Sequence, residues 1–281
     1  MPPGRELDIS FVVVNFKASQ HVAECLRSLA AFRNGVRSEL IVVDNSPTES
    51  STTWSWDGMR DVQVIAHEHN LGYAAACNHG LSEARGRYVF FLNADTKYVS
   101  GSAAELLRWL DQNPSVALLG PTVLNPDGTR QFSCRSFPGW TTALCHRHSL
   151  LARVFPNNPL TAQYLRTDLD TRPAEVDWAS GCCLLARKSV LREIGGFDDG
   201  YFLFFEDVDL ACRLKARNWK CVYYPALTFY HAIGVSRAHL ADQGSRLKYV
   251  SAARYFSKHL IRNEFLSRAF RAAVRFRCRW P

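Results

Sequence analysis

The sequence predicts an α/β protein with a Rossmann-like, mostly parallel sheet, helices on both faces and a basic helical extension at the C-terminus. Short β-branched runs alternate with segments of helical periodicity through the first half, which is typical of parallel βαβ units. The 281-residue chain is 47% hydrophobic, which is enough for one large core. Its net charge of +8 is concentrated near the C-terminus.

The first half of the chain contains the strands and helices that define this sheet. The run from Ile9 to Val14 is continuously apolar, as expected for a buried strand. Ser19 is the expected cap of a helix whose apolar residues recur at helical spacing. Further strands are predicted at Leu40 to Val43, Val62 to Ala66, Tyr88 to Leu92 and Val116 to Leu119, and further helices at 72–85 and 101–112.

The second half is less regular. A turn is indicated by the sequence Asn125-Pro126-Asp127-Gly128. It predicts a hairpin between Val123 and Gln131 to Ser133. Residues 138–173 are interrupted by Pro and Asn and are interpreted as a variable insertion. The remaining predicted elements are an ordered stretch from Val176 to Ala186, a helix from Glu206 to Ala216, strands at Trp219 to Tyr224 and Leu227 to His231, and a basic helical segment from about Ser245.

The positive charge is local. Residues 246–281 carry ten Lys or Arg and one acid, whereas residues 1–245 are nearly neutral. This distribution favours a local anionic partner over a protein that coats nucleic acid. Arginines 268, 271, 275 and 279 recur at helical spacing opposite an apolar side, so we expect an amphipathic helix on an anionic membrane surface. A solvated tail or a helix packed on the domain remains the alternative.

No targeting segment or membrane span is expected. The chain starts Met1-Pro2-Pro3-Gly4 without an apolar signal region, and no apolar run approaches the ~18 residues of a span. Its nine cysteines show no Cys-x-x-Cys pair, which predicts reduced thiols in a cytoplasmic protein. A metal tract at Cys145-His146-Arg147-His148 is a weaker alternative.

Polar residues follow apolar strands at two places, and a third group of acids stands at the start of a predicted helix. Asn93-Ala94-Asp95 ends the strand that begins at Tyr88, Asp44 ends an earlier one, and Glu206-Asp207-Val208-Asp209 lies far downstream. A carboxylate at the carboxyl end of a buried strand can hold a hard cation, and the cation can bind a diphosphate. Turn chemistry is the alternative for a single Asp. Asn15 to Ser19 contains no glycine, which excludes the glycine-rich phosphate cradle of a Rossmann dehydrogenase.

Taken together, these segments resemble a family 2 inverting glycosyltransferase of the GT-A fold, and within it bacterial rhamnosyltransferases that act on lipid-linked saccharides. The matching segments occur in family order over roughly residues 8–240. They are Ile9 to Phe16, Val42 to Ser46, Asn70 to Ala74, Asn78 to Gly80, Phe91 to Asp95, Gly195 to Asp198, Phe204 to Leu210, Tyr224-Pro225 and His231-x-x-Gly234-x-Ser236.

The resemblance implies a role for each matched position. Asp44 would accept the pyrimidine N3–H, Phe16 would pack on the base, and Asn93, which replaces the first carboxylate of the family's Asp-x-Asp motif, would contact ribose or sugar. Asp207 would be the catalytic base. The remaining implied positions are Val14, Asn70 and Asn78 for the donor, Asp95 and His231 for Mg²⁺ or Mn²⁺, and Asp177, Trp178, Phe205 and Glu206 for the acceptor.

Several of these residues could instead serve the fold alone. The acids at 206–209 could simply favour a helix N-terminus, Trp178 could be a core residue, and His231 could be a core histidine with satisfied hydrogen bonds. The resemblance divides the chain into a nucleotide-sugar half (1–120), an acceptor and catalytic half (121–244) and a basic helical segment (245–281).

The expected function is metal-dependent transfer of a sugar, favoured as L-rhamnose from dTDP-rhamnose, to a polyprenyl-diphosphate-linked saccharide in bacterial cell-surface polysaccharide synthesis. The expected place is the cytoplasmic face of the membrane, with no nucleic acid as partner. The alternatives are a UDP- or GDP-sugar donor and a non-catalytic nucleotide-binding protein. A nucleotidyltransferase would need a glycine-rich basic loop after the first strand, which this sequence lacks.

Overall fold

The computed structural model describes residues 7–46, 62–141, 154–155, 158–232, 234 and 243–278. Strands and helices alternate through the first half, as the hydrophobic pattern predicts. In chain order the elements are β1 (Ile9–Asn15), α1 (Ser19–Phe32), β2 (Ser38–Asp44), β3 (Val62–Ala66), α2 (Tyr73–Glu83), β4 (Tyr88–Asn93), β5 (Thr96–Ser100), α3 (Ala103–Gln112), β6 (Val116–Leu124), β7 (Arg130–Gln131), β8 (Cys134–Arg135), α4 (Pro159–Leu165), β9 (Ala174–Val176), β10 (Trp178–Ala179), β11 (Cys183–Arg187), α5 (Lys188–Glu193), α6 (Glu206–Lys215), β12 (Lys220–His231), α7 (Gln243–His259) and α8 (Glu264–Arg277).

One mixed, mostly parallel sheet joins the two halves of the chain. The strand order is β3-β2-β1-β4-β11-β6-β12-β5. Strands β1 to β4 run parallel, β11 is antiparallel to both β4 and β6, and β12 is parallel to β6. The carboxyl ends of β1, β2, β4 and β12 therefore lie at the same edge of the sheet, together with the start of β11.

Helices cover both faces of the sheet. Alternate residues of β1 point to opposite faces, so Val12 packs in a cluster with α2 and α6 whereas Phe11 packs in a second cluster with α1 and α3. Nearly all β1, β2 and β4 residues are buried, which explains why these strands are continuous apolar runs rather than alternating ones.

The structure confirms the predicted strands and helices of the first half and corrects several details. Ser19 is the first helical residue and not the cap; the Ala18 carbonyl accepts the first bonds, from His21 and Val22. The predicted hairpin is present as β6 and β7. The two strands expected at Trp219 to His231 are one strand, β12, whose register shifts between Tyr224 and Thr228 around Pro225. The sequence pattern missed β5 and α5, and the basic C-terminal segment is two helices.

Three further expectations concern the cysteines, membrane spans and individual motifs. Every cysteine among the described residues is a free thiol. Within the described ranges, no helix combines the length and apolarity that crossing a membrane requires. The Cys145-His146-Arg147-His148 tract, Ser236 and Arg279 lie outside the described residues.

The first C-terminal helix is bound to the sheet domain by buried ion pairs. The fully buried Asp209 carboxylate on α6 accepts hydrogen bonds from His259 (2.7 Å) and Arg213 (2.7 Å), and Lys258 lies 2.8 Å away. Asp198 binds Arg254 and Lys258 in the same way. The alternative of a helix packed on the domain is therefore correct for α7. Although burial raises the pKa of Asp209, its hydrogen bonds to His259, Lys258 and Arg213 bring it well below its ordinary range.

We predict that Asp209→Ala lowers the free energy of unfolding by about 3 kcal/mol at pH 7, because the substitution leaves partly buried cations without their carboxylate. Urea unfolding followed by circular dichroism measures this. Because the folded-state pKa is depressed, the stabilisation is present above about pH 4 and is lost as the pH falls further. The difference in the free energy of unfolding between wild type and Asp209→Ala should therefore become smaller as the pH falls below about 4. The exposed Asp199 is the matched control; Asp199→Ala should change stability by less than about 0.5 kcal/mol. Equal effects of the two substitutions would contradict the prediction.

Candidate active site

The sheet places the predicted donor residues side by side. Asn15 is in register with Asp44 on β2, and Val14 is in register with Asn93 on β4. All four residues are at the carboxyl ends of neighbouring parallel strands, where open α/β sheets bind ligands. The order β2-β1-β4 therefore creates one continuous row of polar groups from strands far apart in sequence.

Asp44 is buried and its carboxylate is held in one orientation. One oxygen, Oδ1, accepts hydrogen bonds from the Asn15 side chain (3.0 Å) and the Ser46 backbone N–H (3.0 Å). The Ser46 hydroxyl in turn accepts a bond from the Lys17 backbone N–H. Phe16, half-buried, follows Asn15 directly, with the Lys17 ammonium 5.7 Å from its ring centroid. These hydrogen bonds connect the end of β2 at Asp44 with the segment that follows β1 and contains Phe16.

Asn45 organises the next loop, a role that was not predicted from the sequence. Its side-chain N–H donates to Asn70 Oδ1 (2.8 Å), and its Oδ1 accepts from the Leu71 backbone N–H (2.9 Å). Asn70 Oδ1 also accepts from the Gly72 N–H. These bonds attach the loop before α2 to the end of β2. The sequence contains a signal for this role, because Asn45 directly follows Asp44 in the segment that matches the family.

Asn78 occupies a structural position. Its side-chain N–H donates to the Phe197 carbonyl and its Oδ1 accepts from the Phe197 N–H, both at 2.9 Å. The amide therefore links α2 to the segment before α6, and the expectation that it contacts the donor has no support from this geometry.

Asp95 and His231 meet next to Asn93. His231 Nε2 lies 3.3 Å from Asp95 Oδ1 and 3.3 Å from Asn93 Nδ2. Its Nδ1 faces Gln131 Oε1 at 3.1 Å. His231 and Asp95 are both buried. Burial lowers the pKa of His231, but the neighbouring Cys182 and Asp95 more than offset this and raise it to about 10.

This cluster fits a divalent cation with two protein ligands. Asp95 and His231 offer one carboxylate oxygen and one imidazole nitrogen, and Gln131 orients the ring from its other side, as outer-shell groups do at metal sites. A cation would replace the imidazole proton, because both use the same nitrogen. Within the described ranges no group of three His, Cys, Asp or Glu side chains converges on one point. Mg²⁺ and Mn²⁺ commonly complete such a shell with phosphate oxygens and water.

Asp207 stands at the start of α6 with both carboxylate oxygens bonded. Oδ2 accepts from the Gly181 N–H (2.9 Å) and Oδ1 from the Val208 N–H (2.8 Å). The neighbouring Glu206 is also buried, and its Oε2 is a buried atom without a hydrogen-bond partner. The two adjacent acids therefore have different environments.

Burial raises the pKa of both acids, but their other contacts make the two pKa values differ. Burial, followed by the charge of Asp207, raises the pKa of Glu206 far above its ordinary value. Burial also raises the pKa of Asp207, but the Gly181 and Val208 N–H groups and the positive charge of Arg135 oppose it. We infer that Asp207 carries the charge and Glu206 the proton, because adjacent buried carboxyls cannot readily both ionise. A carboxylate with a raised pKa is a stronger general base.

The turn Gly181-Cys182 joins Asp207 to the cluster of Asn93, Asp95 and His231. Gly181 donates to Asp207, and its carbonyl accepts from the Tyr73 hydroxyl at 2.6 Å. The Cys182 carbonyl accepts from the Asn93 backbone N–H at 2.9 Å. Of these two consecutive residues, one thus binds the Asp207 carboxylate and the other binds the backbone of Asn93. Neither Tyr73 nor Cys182 was predicted as a site residue from the sequence.

The predicted acceptor residues fall into two groups. Phe205 and Glu206 adjoin Asp207, and Phe205 has φ +66°, a strained conformation for an aromatic residue. Asp177 instead accepts from the Phe137 N–H and pairs with Lys215. The Trp178 indole donates to the Ser136 carbonyl and lies under the Arg135 guanidinium. Asp177 and Trp178 are therefore engaged in internal contacts.

Comparisons with known proteins agree with this arrangement. The family model described as Glycosyl transferase family 2 matches residues 10–195. The chain belongs to this family. It is 32% identical over 231 residues to the N-acetylglucosaminyl-diphospho-decaprenol L-rhamnosyltransferase of Mycobacterium tuberculosis strain H37Rv, an alignment that covers 78% of this chain and 74% of that protein. Rhamnosyltransferase WbbL of Escherichia coli K12 is 37% identical over 87 residues, covering 31% and 30%.

Solved structures support the fold of this glycosyltransferase. The structure of GalNAc-T7 with UDP, GalNAc and Mn²⁺ superposes with a TM-score of 0.62 at 16% identity. The match covers 96% of this chain but only 55% of that one, so this chain spans about half the length of that protein. At this identity the likeness concerns the fold alone, and the fold is GT-A. The mixed, mostly parallel sheet predicted from the sequence is thereby confirmed.

We predict that Gly181→Ala lowers the turnover of sugar transfer by roughly 10- to 100-fold with little loss of stability. A Cβ at this position would lie 3.2 Å from Tyr73 Cε1, so the tyrosine must shift by a few tenths of an ångström, and it would contact Asp207 Cβ at 3.8 Å. A shift of Tyr73 would move the Gly181 carbonyl that its hydroxyl binds, and with it the N–H that orients Asp207. Release of nucleoside diphosphate and thermal melting measure the two effects. Gly139, where a Cβ meets nothing within 4 Å, provides the control substitution Gly139→Ala. Wild-type turnover in Gly181→Ala would show that the turn does not position the site.

Proposed function

We propose that this glycosyltransferase transfers L-rhamnose from dTDP-L-rhamnose, with inversion, to a saccharide carried on a polyprenyl diphosphate. The main support is the Gly181-Cys182 turn, which connects the oriented Asp207 carboxylate to the cluster around Asp95. The family and the polyprenyl-linked substrate in the name of the mycobacterial relative support the acceptor class. The process would be bacterial cell-surface polysaccharide synthesis.

The proposed chemistry is a single displacement. The acceptor hydroxyl attacks the anomeric carbon, its proton passes to Asp207, and the bond to the diphosphate breaks with its electron pair on the leaving oxygen. Asp207 suits this role because two backbone N–H groups orient its carboxylate. Because the neighbouring Glu206 would be protonated, Asp207 would be the carboxylate of this pair that receives the proton. Phe205 would pack beside the acceptor.

Asp95 and His231 would hold Mg²⁺ or Mn²⁺, which supplies positive charge against the diphosphate as it leaves. Asn93, 3.3 Å from the same imidazole nitrogen, would contact the donor ribose or sugar. Asp44 would accept the N3–H of thymine or uracil, Phe16 would pack on the base, and Val14 would line the floor below it.

Two alternatives predict different results. A UDP- or GDP-sugar donor would use the same cation site with another base or sugar. A non-catalytic nucleotide-binding protein would have no need of Asp207, yet this chain has both Asp95 and Asp207 in ordered, buried positions. The retained carboxylates favour an active enzyme.

The direct test offers dTDP-, UDP- and GDP-sugars with Mg²⁺, Mn²⁺ or EDTA and a lipid-linked acceptor. We expect dTDP-L-rhamnose to be transferred with inverted anomeric configuration, and EDTA to stop the reaction. CDP should compete more weakly than dTDP, because cytosine lacks the N3–H that Asp44 would accept. Retained configuration, full activity in EDTA, or equal competition by CDP would each contradict the corresponding assignment.

Asp207→Asn is the matched variant for this test, and it should reduce turnover roughly 10²- to 10⁴-fold while donor affinity stays nearly unchanged. Asp95→Ala should instead weaken the metal-dependent binding of the donor. Donor affinity measured by calorimetry separates the two effects. Near-normal turnover in Asp207→Asn would exclude Asp207 as the base.

We further propose that α8 attaches the enzyme to the cytoplasmic face of an anionic membrane. On α7, Arg254, Lys258 and His259 are bound to Asp198 and Asp209, whereas Arg268 and Arg275 on α8 are exposed. Phe265 and Phe276 are also exposed, by 78% and 68%. An amphipathic helix of this composition binds the headgroup region of a bilayer.

Vesicle flotation tests this attachment. Removing two arginines by Arg271→Gln with Arg275→Gln should weaken binding to anionic vesicles roughly 30-fold, at ~1 kcal/mol per charge. Truncation after Ile261 removes α8, keeps the ion pairs of α7, and should abolish binding. Arg172→Gln with Arg192→Gln removes the same charge from exposed positions elsewhere and is the control. Equal loss in both double variants would refute a specific role of α8.

A further inference from the structure

An open apolar groove lies between Trp140 and the hairpin of α7 and α8. It encloses about 720 Å³, within the ~300–1,000 Å³ range of ligand pockets. Leu266, Ala269, Phe270 and Ala273 line it from successive turns of one face of α8, and Leu260 closes one end. Arg262 is the one charged side chain among the described lining residues.

The groove is exposed although it is strongly apolar. Trp140 is 57% exposed and Leu266 is 57% exposed. The arginines of α8 do not line it: Arg268, Arg271 and Arg275 project from the opposite side of the helix by its 100° repeat. An exposed concave apolar surface of this kind marks a binding site for an apolar partner.

A continuous series of aromatic contacts leads from the groove to the catalytic helix. Trp140 packs on Phe270 (centroids 6.0 Å apart) and on Phe256 (4.9 Å). Phe256 contacts Tyr255 (5.7 Å), which packs on Phe205 (5.5 Å). Phe205 immediately precedes Glu206 and Asp207. The groove is therefore connected through packed rings to the residues that adjoin the proposed base.

We infer that this groove binds the isoprenoid chain of the lipid-linked acceptor, close to its diphosphate. The inference rests on the proposed lipid-linked acceptor and assigns its apolar part to residues of α8 and Trp140. Three features select this occupant: the lining is aliphatic and aromatic, its charged member Arg262 suits a diphosphate, and the aromatic series ends at Phe205 beside the proposed acceptor position. The hairpin of α7 and α8 lies outside the part of the chain that the family model matches, which ends at residue 195.

Ala273→Trp fills the groove without adding charge, and Ala272→Trp places the same ring on an exposed neighbouring position outside it. Both full-length variants are assayed in one detergent with two acceptors that carry the same saccharide diphosphate, one on a long polyprenyl chain and one on a single isoprene unit. For Ala273→Trp we expect the KM of the long-chain acceptor to rise roughly 10-fold or more. Its kcat, its donor KM and the KM of the short-chain acceptor should stay unchanged, and Ala272→Trp should behave as wild type.

Two outcomes of this assay would overturn the inference. An equal rise in KM for both acceptors would mean that the tryptophan disturbs the saccharide site. An unchanged preference for the long chain, combined with altered vesicle flotation, would mean that the surface inserts into bulk bilayer lipid and does not select the acceptor chain.

Photolabelling separates this inference from the proposed reaction. A benzophenone-bearing isoprenoid diphosphate without sugar should label α8 or Trp140 in wild type and in Ala272→Trp, but not in Ala273→Trp, as mapped by mass spectrometry. Labelling at these residues in an enzyme that transfers no rhamnose would support the groove and reject the proposed donor. Labelling elsewhere, with rhamnose transfer intact, would reject the groove and leave the proposed function standing.

Discussion

The positions of the functional groups depend on the hydrogen bonds of Gly181-Cys182. This turn begins β11, the strand that runs against its parallel neighbours and brings the second half of the chain into the sheet of the first. One residue binds Asp207 and Tyr73, and the next binds Asn93. The turn fixes α6 relative to the cluster of Asp95 and His231 because both of its carbonyls and the N–H of Gly181 are used. A Cβ at Gly181 would lie 3.2 Å from Tyr73, so a larger residue there requires the ring to move.

The sequence specified the first half of this arrangement and only parts of the second. Strands β1, β2 and β4 are buried on both faces, so their composition alone reveals them. The short strand β5 pairs at the edge with β12 and has mostly half-buried or exposed residues, so no periodic signal marked it. The roles of Asn45, Tyr73 and Cys182 arise from contacts over 25 to 108 residues along the chain, such as the hydroxyl of Tyr73 on Gly181 and the amide of Asn45 on Asn70. Hydrophobic periodicity contains no information about such contacts.

The C-terminal charge has two structural functions that net charge cannot distinguish. On α7, Arg254, Lys258 and His259 are bound by the carboxylates Asp198 and Asp209, so these residues stabilise the fold. The arginines of α8 have no comparable carboxylate from the sheet domain among the described contacts; the ion pair of Arg268 is with Glu264 on the same helix. The charge at the C-terminal end of α7 is therefore used within the fold, whereas Arg268 and Arg275 of α8 are exposed at the surface.

The same packing that attaches α7 also supports the start of α6. Phe204 and Phe205 both have positive φ, a conformation that costs about 1–3 kcal/mol per residue and persists only where the surroundings enforce it. Tyr255 packs on Phe205, and Ser251 donates to the Leu203 carbonyl at 2.7 Å, so α7 holds this segment from one side. Because the strained pair immediately precedes α6, its conformation sets where Glu206 and Asp207 begin the helix. The helix α7, which together with α8 forms the groove, thus also determines the geometry of the proposed base. This gives a physical reason for the groove and the base to belong to one packed unit.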